Sequence, residues 1–396
     1  MRSVLLHYGE LALKGRNRPW FLNTLLRNIR SALADLDVGR TRVLMGRVEI
    51  PLGSEAAWPE VRERLARLPG IGNFTIATHV AADLEAIAAG VLEAVRGRTC
   101  ASFRVTARRA DKRFPIPTPD IERDIGGRVQ GTTGWKVDLS HPELVIRIEI
   151  VTDDAFFSFE RCAGAGGLPV GTSGRVVALL SGGIDSPVAP WRMIRRGCRT
   201  QFVHFHSHPI LSNTSQEKAR ELVERLTRHQ LRSRLHLVPF GAVQQQVVVT
   251  VPPPLRVVIY RRLMVRIAEA IARQAGAQAL VTGDVVGQVA SQTIENLAVV
   301  GQVATMPILR PLVGFDKEEI TAEAQRLGTY ETSIIPDEDC CTLFTPRFPA
   351  TRARLEAVEA AEAELDVDAL VGRAVADTAV EDFRFPLIHS PAGRPA

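Results

Sequence analysis

A glycine-containing turn between a predicted strand and a predicted helix is the part of this 396-residue sequence best suited to chemistry. Residues 175–180 predict a buried apolar strand, and residues 181–186 follow it as Ser-Gly-Gly-Ile-Asp-Ser. Glycines let backbone N–H groups turn toward an anion, and the N-terminus of a helix adds positive potential. Pro187 suits the first helical turn because a missing N–H costs nothing there. The turn is therefore predicted to bind phosphate.

The sequence of the turn excludes two common classes of phosphate-binding loop and favours a third. It lacks the Gly-Lys-Ser/Thr ending of a Walker A loop and the Gly-x-Gly-x-x-Gly spacing of a dinucleotide-binding loop. Ser-Gly-Gly-x-Asp-Ser after an apolar strand instead resembles the PP-loop of ATP pyrophosphatases, which hold pyrophosphate while AMP is transferred to a substrate oxygen. On this resemblance Asp185 is placed to help hold Mg²⁺. The pyrophosphate ligands would be Ser181, Gly182, Gly183 and Ser186.

An adjacent pair of cysteines, Cys340 and Cys341, offers a second kind of chemistry. Adjacent cysteines do not readily bind one zinc ion, and no third or fourth ligand lies nearby in the sequence. The surrounding stretch, 336–347, is polar and predicts an exposed loop, although buried structural thiols remain the alternative. An exposed thiol near an ATP-activating site is suited to covalent sulfur chemistry. The other cysteines are predicted to be structural: Cys100, Cys162 and Cys198.

Two further groups of residues have less specific patterns. His204, His206 and His208 alternate at a predicted strand end, but no cysteine or carboxylate completes a metal site. Residues 96–113 form a basic segment that leads into a proline-rich loop at 115–119. This segment is suited to bind the phosphates of a nucleic acid, but it could equally be a solvated charged face. The members of that segment assigned to nucleic acid are Arg104, Arg108, Arg109, Lys112 and Arg113.

The elements predicted around these residues make an α/β protein. Residues 1–75 alternate strand and helix as in a ferredoxin-like α+β domain, and residues 76–165 add a helix and further strands. Residues 166–174 are too rich in glycine for core structure and predict a linker. Residues 175–396 alternate apolar strands with amphipathic helices, which predicts a doubly wound, mostly parallel sheet. Such sheets bind ligands at the carboxyl ends of their strands.

Composition excludes several protein classes. Hydrophobic residues at 45% and charged residues at 23% exclude a disordered or collagen-like chain. The 49 basic and 44 acidic residues leave a net charge of +5, which permits a nucleic-acid partner without requiring one. Five scattered cysteines indicate a reducing compartment. The absence of an apolar run of about eighteen residues predicts no membrane span, so we expect a cytoplasmic protein.

Taken together, these motifs resemble those of the tRNA 4-thiouridine synthetases, also called tRNA sulfurtransferases. The resemblance covers nearly the whole chain, and several matches in the same order are far more specific than any one. It implies a ferredoxin-like domain over 1–75, a tRNA-binding THUMP domain over 76–165 and a PP-loop catalytic domain over 175–396. The segments that carry it are 7–17, 110–115, 167–171, 181–186, 282–293 and Cys340-Cys341.

The resemblance also implies a reaction and its participants. ATP adenylates the C4 oxygen of the uridine at tRNA position eight. A persulfide sulfur, supplied by a partner such as a cysteine desulfurase, then displaces AMP. The implied active thiol is Cys341, with Cys340 the other choice, and the family suggests a homodimer. Residue-by-residue matching implies further ATP ligands at Leu179, Leu180, His204, Phe205, Arg261, Gly283 and Gln292.

The sequence departs from the longer members of this family. No cysteine follows Cys341, and residues 351–396 are too few for a C-terminal rhodanese-like domain. We therefore expect sulfur to arrive from another protein, and a thiamine-pathway role is in doubt. Two alternatives remain open. One is a PP-loop synthetase or amidotransferase that adenylates another substrate, and the other is a THUMP-type RNA-binding protein with an inactive nucleotide domain.

Overall fold

The structure is a computed structural model that describes residues 2–336, 344 and 346–387. The chain divides into two compact units, Met1–Pro169 and Val170–Ala396. The boundary lies within the glycine-rich segment 166–174. Among the described helices, none combines the length and apolar character needed to cross a membrane.

The N-terminal unit is built on one continuous sheet with the strand order β2-β3-β1-β4-β8-β7-β5-β6, and β9 also pairs with β4. Its strands are β1 (Arg2–Tyr8), β2 (Arg42–Leu44), β3 (Arg47–Pro51), β4 (Ile71–Ala81), β5 (Ser102–Arg109), β6 (Lys136–Val137), β7 (Leu144–Val151), β8 (Asp154–Ser158) and β9 (Cys162–Ala163). Its helices are α1 (Arg18–Ala32), α2 (Trp58–Arg67), α3 (Leu84–Val95) and α4 (Thr118–Thr133).

Strand β4 joins the two halves of this sheet. Residues 71–78 pair with β1, and residues 78–81 pair with β8, both in antiparallel register. Residue 75, where the sequence suggests a domain boundary, therefore lies inside a strand. Because hydrogen bonding continues along β4, the strands predicted for the ferredoxin-like and THUMP parts form a single sheet.

Helix α4 is not predicted from the sequence. The prolines at 115–119 predict a rigid loop, yet Thr118–Thr133 is helical, with Pro119 in its first turn. Proline is tolerated there because the first N–H groups of a helix have no intrahelical partner. Ile121, Ile125 and Val129 recur every fourth residue and are buried, so they form the apolar face that packs into the core.

The C-terminal unit contains a sheet with the order β14-β13-β10-β11-β12-β15, parallel except for β15. The predicted doubly wound, mostly parallel sheet is thus confirmed. Its strands are β10 (Arg175–Leu179), β11 (Arg199–His206), β12 (Arg232–Pro239), β13 (Ala279–Val281), β14 (Ile308–Leu309) and β15 (Ala379–Arg384). Its helices are α5 (Asp185–Arg195), α6 (Thr214–Gln230), α7 (Gly241–Thr250), α8 (Arg256–Gln274), α9 (Ile294–Gly301), α10 (Lys317–Leu327), α11 (Tyr330–Ser333), α12 (Leu355–Glu362) and α13 (Val367–Ala376).

The strand order reverses beside β10. From β10 the chain moves outward through β11 to β12, whereas β13 and β14 lie on the other side of β10. Such a reversal leaves a crevice at the carboxyl ends of the two strands that flank it. The ends of β10 and β13 are followed by residues 180–184 and 282–284, so these two segments meet at the crevice.

Candidate nucleotide site and nucleic-acid interface

The turn between β10 and α5 is held in shape by the hydroxyl of Ser186. The backbone N–H of Gly182 donates to Ser186 Oγ at 3.2 Å, and this hydroxyl donates to the carbonyl oxygen of Gly183 at 3.0 Å. Gly182 has φ of 99°, a conformation that favours glycine. Ser186 is buried, whereas Ser181 and Gly183 are exposed. Ser186 therefore shapes the turn from within, and Ser181 and Gly183 are accessible to a ligand.

Both carboxylate oxygens of Asp185, the first residue of α5, have partners. Lys317 Nζ lies 2.8 Å from Oδ1, and Gln288 Nε2 donates to Oδ2 at 2.7 Å. Lys317 begins α10, which is capped by a reciprocal pair of hydrogen bonds between Asp316 and Glu319. These contacts place an ammonium group beside the turn. The sequence does not predict that Lys317 and Gln288 contact Asp185, because residues so far apart in the chain leave no local signal.

Asp185 fits a Mg²⁺ ion as a single carboxylate ligand. Within the described residues, no group of three or more His, Cys, Asp or Glu side chains is arranged to hold a metal. Magnesium is usually bound by one or two carboxylates together with substrate phosphates and water. The residues present therefore fit an ion that is held largely by ATP phosphates.

Gly283 lies against the start of α5, where a side chain would have little room. A Cβ at this position would lie 3.1 Å from the backbone carbonyl carbon of Asp185 and 3.2 Å from the Cα of Ser186. Both neighbours are backbone atoms, which cannot swing away as a flexible side chain would. Glycine at 283 thus permits the segment after β13 to approach the turn closely.

The next residue, Asp284, binds two arginines. Its carboxylate pairs with Arg261 of α8, accepts a hydrogen bond from Arg310 Nε at 3.3 Å and accepts another from Thr282 Oγ1 at 2.7 Å. Burial by itself would raise the pKa of Asp284, but the two guanidinium charges and the Thr282 hydroxyl lower it below its ordinary value. Two positive charges and one negative charge leave this cluster with a net positive charge.

His204 and Phe205, at the end of β11, are fixed by neighbouring groups. His204 is buried, with Nδ1 2.8 Å from the carbonyl oxygen of Leu180 and Nε2 3.4 Å from Ser215 Oγ. The ring of Phe205 packs against that of Phe240 at a centroid distance of 5.4 Å. Leu179, at the end of β10, is half-buried. The strand ends thus present a largely apolar wall beside the turn.

Gln292 has an unused hydrogen-bond acceptor. It ends a short 3₁₀ turn, Ala290–Gln292, and its Oε1 is buried with no hydrogen-bond partner among the described residues. Buried polar atoms are nearly always hydrogen-bonded in native proteins. Gln292 can therefore accept one hydrogen bond from a ligand.

Cys340 and Cys341 lie outside the described residues. Burial raises the pKa of each of the three described cysteine thiols: Cys100, Cys162 and Cys198. A raised pKa reduces the fraction of thiolate, which is the nucleophilic form. These three cysteines are poorly suited to nucleophilic chemistry.

A polar cavity of about 920 Å³ opens on the N-terminal unit. Of the residues that the sequence analysis assigned to nucleic acid, Arg104, Arg108 and Arg109 line it, and Lys112 and Arg113 lie outside its lining. Arg113 is paired instead with Asp111. The lining contains four further arginines that the sequence does not predict, because they come from other strands, helices and loops: Arg18, Arg47, Arg147 and Arg161.

The charge of this cavity favours an anion. Its lining has seven arginines and two carboxylates, Glu149 and Glu160. Glu149 is already paired with Arg47, and its Oε1 lies 3.1 Å from His7 Nε2. Burial and the positive charges of Arg161 and Arg104 lower the pKa of Arg147. Guanidinium groups that lie this close together repel one another, and a bound phosphate would relieve that repulsion. The cavity is therefore a candidate nucleic-acid interface.

Three family models match the chain. Residues 171–367 match "Thiamine biosynthesis protein (ThiI)", residues 3–75 match the ThiI ferredoxin-like domain, and residues 81–160 match the THUMP domain. The glycine-rich segment 166–174 begins after the THUMP match ends at residue 160, and its last residues overlap the start of the ThiI match at residue 171.

Whole-chain relatives and a solved structure agree with these matches. A probable tRNA sulfurtransferase of Thermus thermophilus is 52% identical over 96% of this chain and 93% of its own length. Another from Brevibacillus brevis is 43% identical over 96% of both chains. The crystal structure of a 4-thiouridine synthetase–RNA complex with bound ATP superposes with a TM-score of 0.87. It is 36% identical and covers 97% of this chain and 100% of that one.

Proposed function

The chain belongs to the ThiI family and is a tRNA sulfurtransferase, and from that premise we propose that it uses ATP to make 4-thiouridine at tRNA position eight. The observation that carries the proposal is the turn at residues 181–186, placed where the strand order reverses between β10 and β13. A turn of this kind at such a crevice is suited to the phosphates of a nucleotide.

We place ATP along this edge of the sheet. Its phosphates would lie on the turn, and its adenosine would lie against the strand ends. The unused acceptor of Gln292 supports this arrangement, because the amino group of adenine is a donor of the kind it needs. The residues assigned to ATP are Leu179, Leu180, Ser181, Gly182, Gly183, Asp185, Ser186, His204, Phe205, Arg261, Gly283 and Gln292.

In the first step, the C4 oxygen of uracil attacks the α-phosphorus of ATP. The bond to pyrophosphate breaks, and AMP remains attached to the C4 oxygen, which thereby becomes a good leaving group. Negative charge grows on the departing pyrophosphate, so the net positive cluster of Arg261, Arg310 and Asp284 lowers the energy of this step. A Mg²⁺ ion with Asp185 as one ligand would supply further charge neutralisation.

In the second step, a persulfide sulfur attacks C4, and AMP leaves with the former C4 oxygen. Breaking the sulfur–sulfur bond then requires a thiol, which forms a disulfide with the carrier sulfur. We assign the thiol chemistry to Cys341 or Cys340. The raised pKa values of the described cysteines support that choice. The sulfur donor is proposed to be a cysteine desulfurase or another persulfide carrier.

We assign tRNA binding to the arginine-lined cavity of the N-terminal unit. Arg104, Arg108 and Arg109 lie there beside arginines of other elements, and such clusters bind phosphate strongly. A cytoplasmic homodimer that shares one tRNA is proposed on family resemblance alone.

The test combines purified protein, unmodified tRNA transcript, ATP and a persulfide donor. We expect pyrophosphate release and, by nucleoside mass spectrometry, 4-thiouridine, and we expect Asp185→Ala to abolish both while preserving tRNA binding. Pyrophosphate without 4-thiouridine would indicate a synthetase or amidotransferase acting on another substrate. Binding of tRNA without any pyrophosphate release would indicate an RNA-binding protein. Loss of 4-thiouridine alone in cells lacking the protein would identify the product.

A further inference from the structure

Asn296 joins two backbone segments beside the nucleotide site. It lies in the first turn of α9 and is fully buried. Its Nδ2 donates to the carbonyl oxygen of Ala290 at 2.9 Å and to that of Ala350 at 2.8 Å. Its Oδ1 accepts from the backbone N–H of Ala353 at 3.0 Å. Both donors and the acceptor of this amide therefore bind backbone groups.

The first of these segments carries groups assigned to ATP. Ala290 begins the 3₁₀ turn that ends at Gln292. In the same turn, the carbonyl oxygen of Ser291 accepts a hydrogen bond from Arg261 Nη1 at 2.8 Å. A shift of Ala290 would therefore move both Gln292 and the backbone acceptor that orients Arg261.

The second segment is attached to the base of the helix that carries Arg261. The N–H of Ala350 donates to the carbonyl oxygen of Pro254 at 2.9 Å, two residues before α8 begins. Thr293 Oγ1 donates to the carbonyl oxygen of Thr351 at 2.7 Å, which adds a second link to the start of α9. Asn296 thus closes a continuous set of contacts from the base of α8 to the turn at Ala290–Gln292.

We propose that Asn296 is a positioning residue for ATP, holding the turn at Ala290–Gln292 at the place where Gln292 and Arg261 both reach the nucleotide. The inference rests on the proposed function. Asparagine suits the position because the site needs two donors and one acceptor on a short side chain. Aspartate has the same shape but no donor when ionised, so it would face the carbonyl oxygens of Ala290 and Ala350 with repulsion.

The test compares Asn296→Asp with a matched change, Gln230→Glu, in the same unit. Gln230 is also a buried amide bound to backbone, with Nε2 2.8 Å from the carbonyl oxygen of Thr200 and Oε1 3.0 Å from its nitrogen. Thr200 lies near the start of β11, at the end of the strand away from the nucleotide site. Both variants lose buried hydrogen bonds, but only the first should affect ATP binding.

The readout is the KM for ATP and the kcat of tRNA-dependent pyrophosphate release. We expect Asn296→Asp to raise the KM for ATP about tenfold or more, with a smaller change in kcat. Gln230→Glu should reduce thermal stability by a similar amount and leave that KM within about twofold of wild type. An unchanged KM in Asn296→Asp would overturn the inference and leave the proposed function intact.

A second variant covers failure of Asn296→Asp to fold. Thr293→Val removes the bond to Thr351 and the cap that Thr293 provides to the N–H of Asn296. We expect a rise of about fivefold in the KM for ATP, and no rise would overturn the inference. Wild-type protein that releases no pyrophosphate would overturn the proposed function, and the inference with it.

Discussion

Lys317 Nζ lies 2.8 Å from Oδ1 of Asp185, so α10 and α5 meet at the turn of residues 181–186. The lysine side chain is half exposed, whereas the aspartate side chain is largely buried. A phosphate on the turn can therefore reach the ammonium group without unfolding either helix. The ion pair with Asp185 holds the ammonium group of Lys317 beside the turn.

Replacing Lys317 should slow adenylation. We expect Lys317→Met to reduce the rate of tRNA-dependent pyrophosphate release roughly 100-fold, because a positioned charge beside the departing pyrophosphate is lost. The control is Arg326→Met, which removes an exposed cation from the same helix. Equal rates for Lys317→Met and wild type would show that the ammonium group does not act on phosphate.

Acidification should destabilise the C-terminal unit through two buried histidines. Burial lowers the pKa of His206 and of His236 from 6.5 to about 4. The unfolded chain binds these protons near the ordinary pKa, whereas the folded chain does not until about pH 4. Each histidine's contribution to the free energy of unfolding is therefore full above about pH 6.5 and is lost as the pH falls toward 4.

Urea unfolding at pH 7.5 and at pH 5 measures this effect. We expect His236→Gln to reduce the difference in unfolding free energy between the two pH values, because the titrating group is gone. The matched change His141→Gln, at an exposed position of the N-terminal unit, should leave the difference unchanged. An undiminished pH dependence in His236→Gln would contradict the assignment.

The arginine-lined cavity should determine the salt dependence of tRNA binding. Arg108 and Arg161 are exposed members of its lining. We expect the double change Arg108→Ala with Arg161→Ala to weaken binding and to reduce the slope of log K against log salt by about 2, because two phosphate contacts are lost. Arg123→Ala, at an exposed position of α4 outside the lining, should leave the slope nearly unchanged. If the double change leaves the slope unaffected, the cavity does not contact the phosphates of tRNA.

The cysteine pair should separate the two steps of the reaction. We expect Cys341→Ser to retain pyrophosphate release but to lose 4-thiouridine formation, because a hydroxyl cannot form the disulfide with the carrier sulfur that releases the product. Cys340→Ser, tested in parallel, identifies which thiol is essential. Cys162→Ser is the control, since burial raises the pKa of that thiol and no role in sulfur transfer is assigned to it. Full 4-thiouridine formation by the double variant Cys340→Ser with Cys341→Ser would show that neither thiol is needed for sulfur transfer.

The strand, turn and helix around residues 181–186 could be predicted from the sequence, because the contacts that shape this turn are local. Strand, turn and helix follow one another within residues 175–195, and the hydroxyl of Ser186 reaches Gly182 and Gly183 only a few positions away. The alternation of apolar strands and amphipathic helices likewise indicated the parallel sheet. Residue type and spacing are sufficient to predict a local structure wherever its hydrogen bonds join residues only a few positions apart.

Which distant residues complete the site depends on how the strands and helices pack together. Lys317 and Arg310 reach Asp185 and Asp284 because α10 and β14 pack beside the crevice, an arrangement set by strand order rather than by local pattern. In the N-terminal unit, parallel pairing of β5 with β7 brings Arg104 and Arg147 to one cavity. Strand pairing joins residues far apart in the chain, and its register depends on the packing of the whole core, so a single sequence carries no local signal of it.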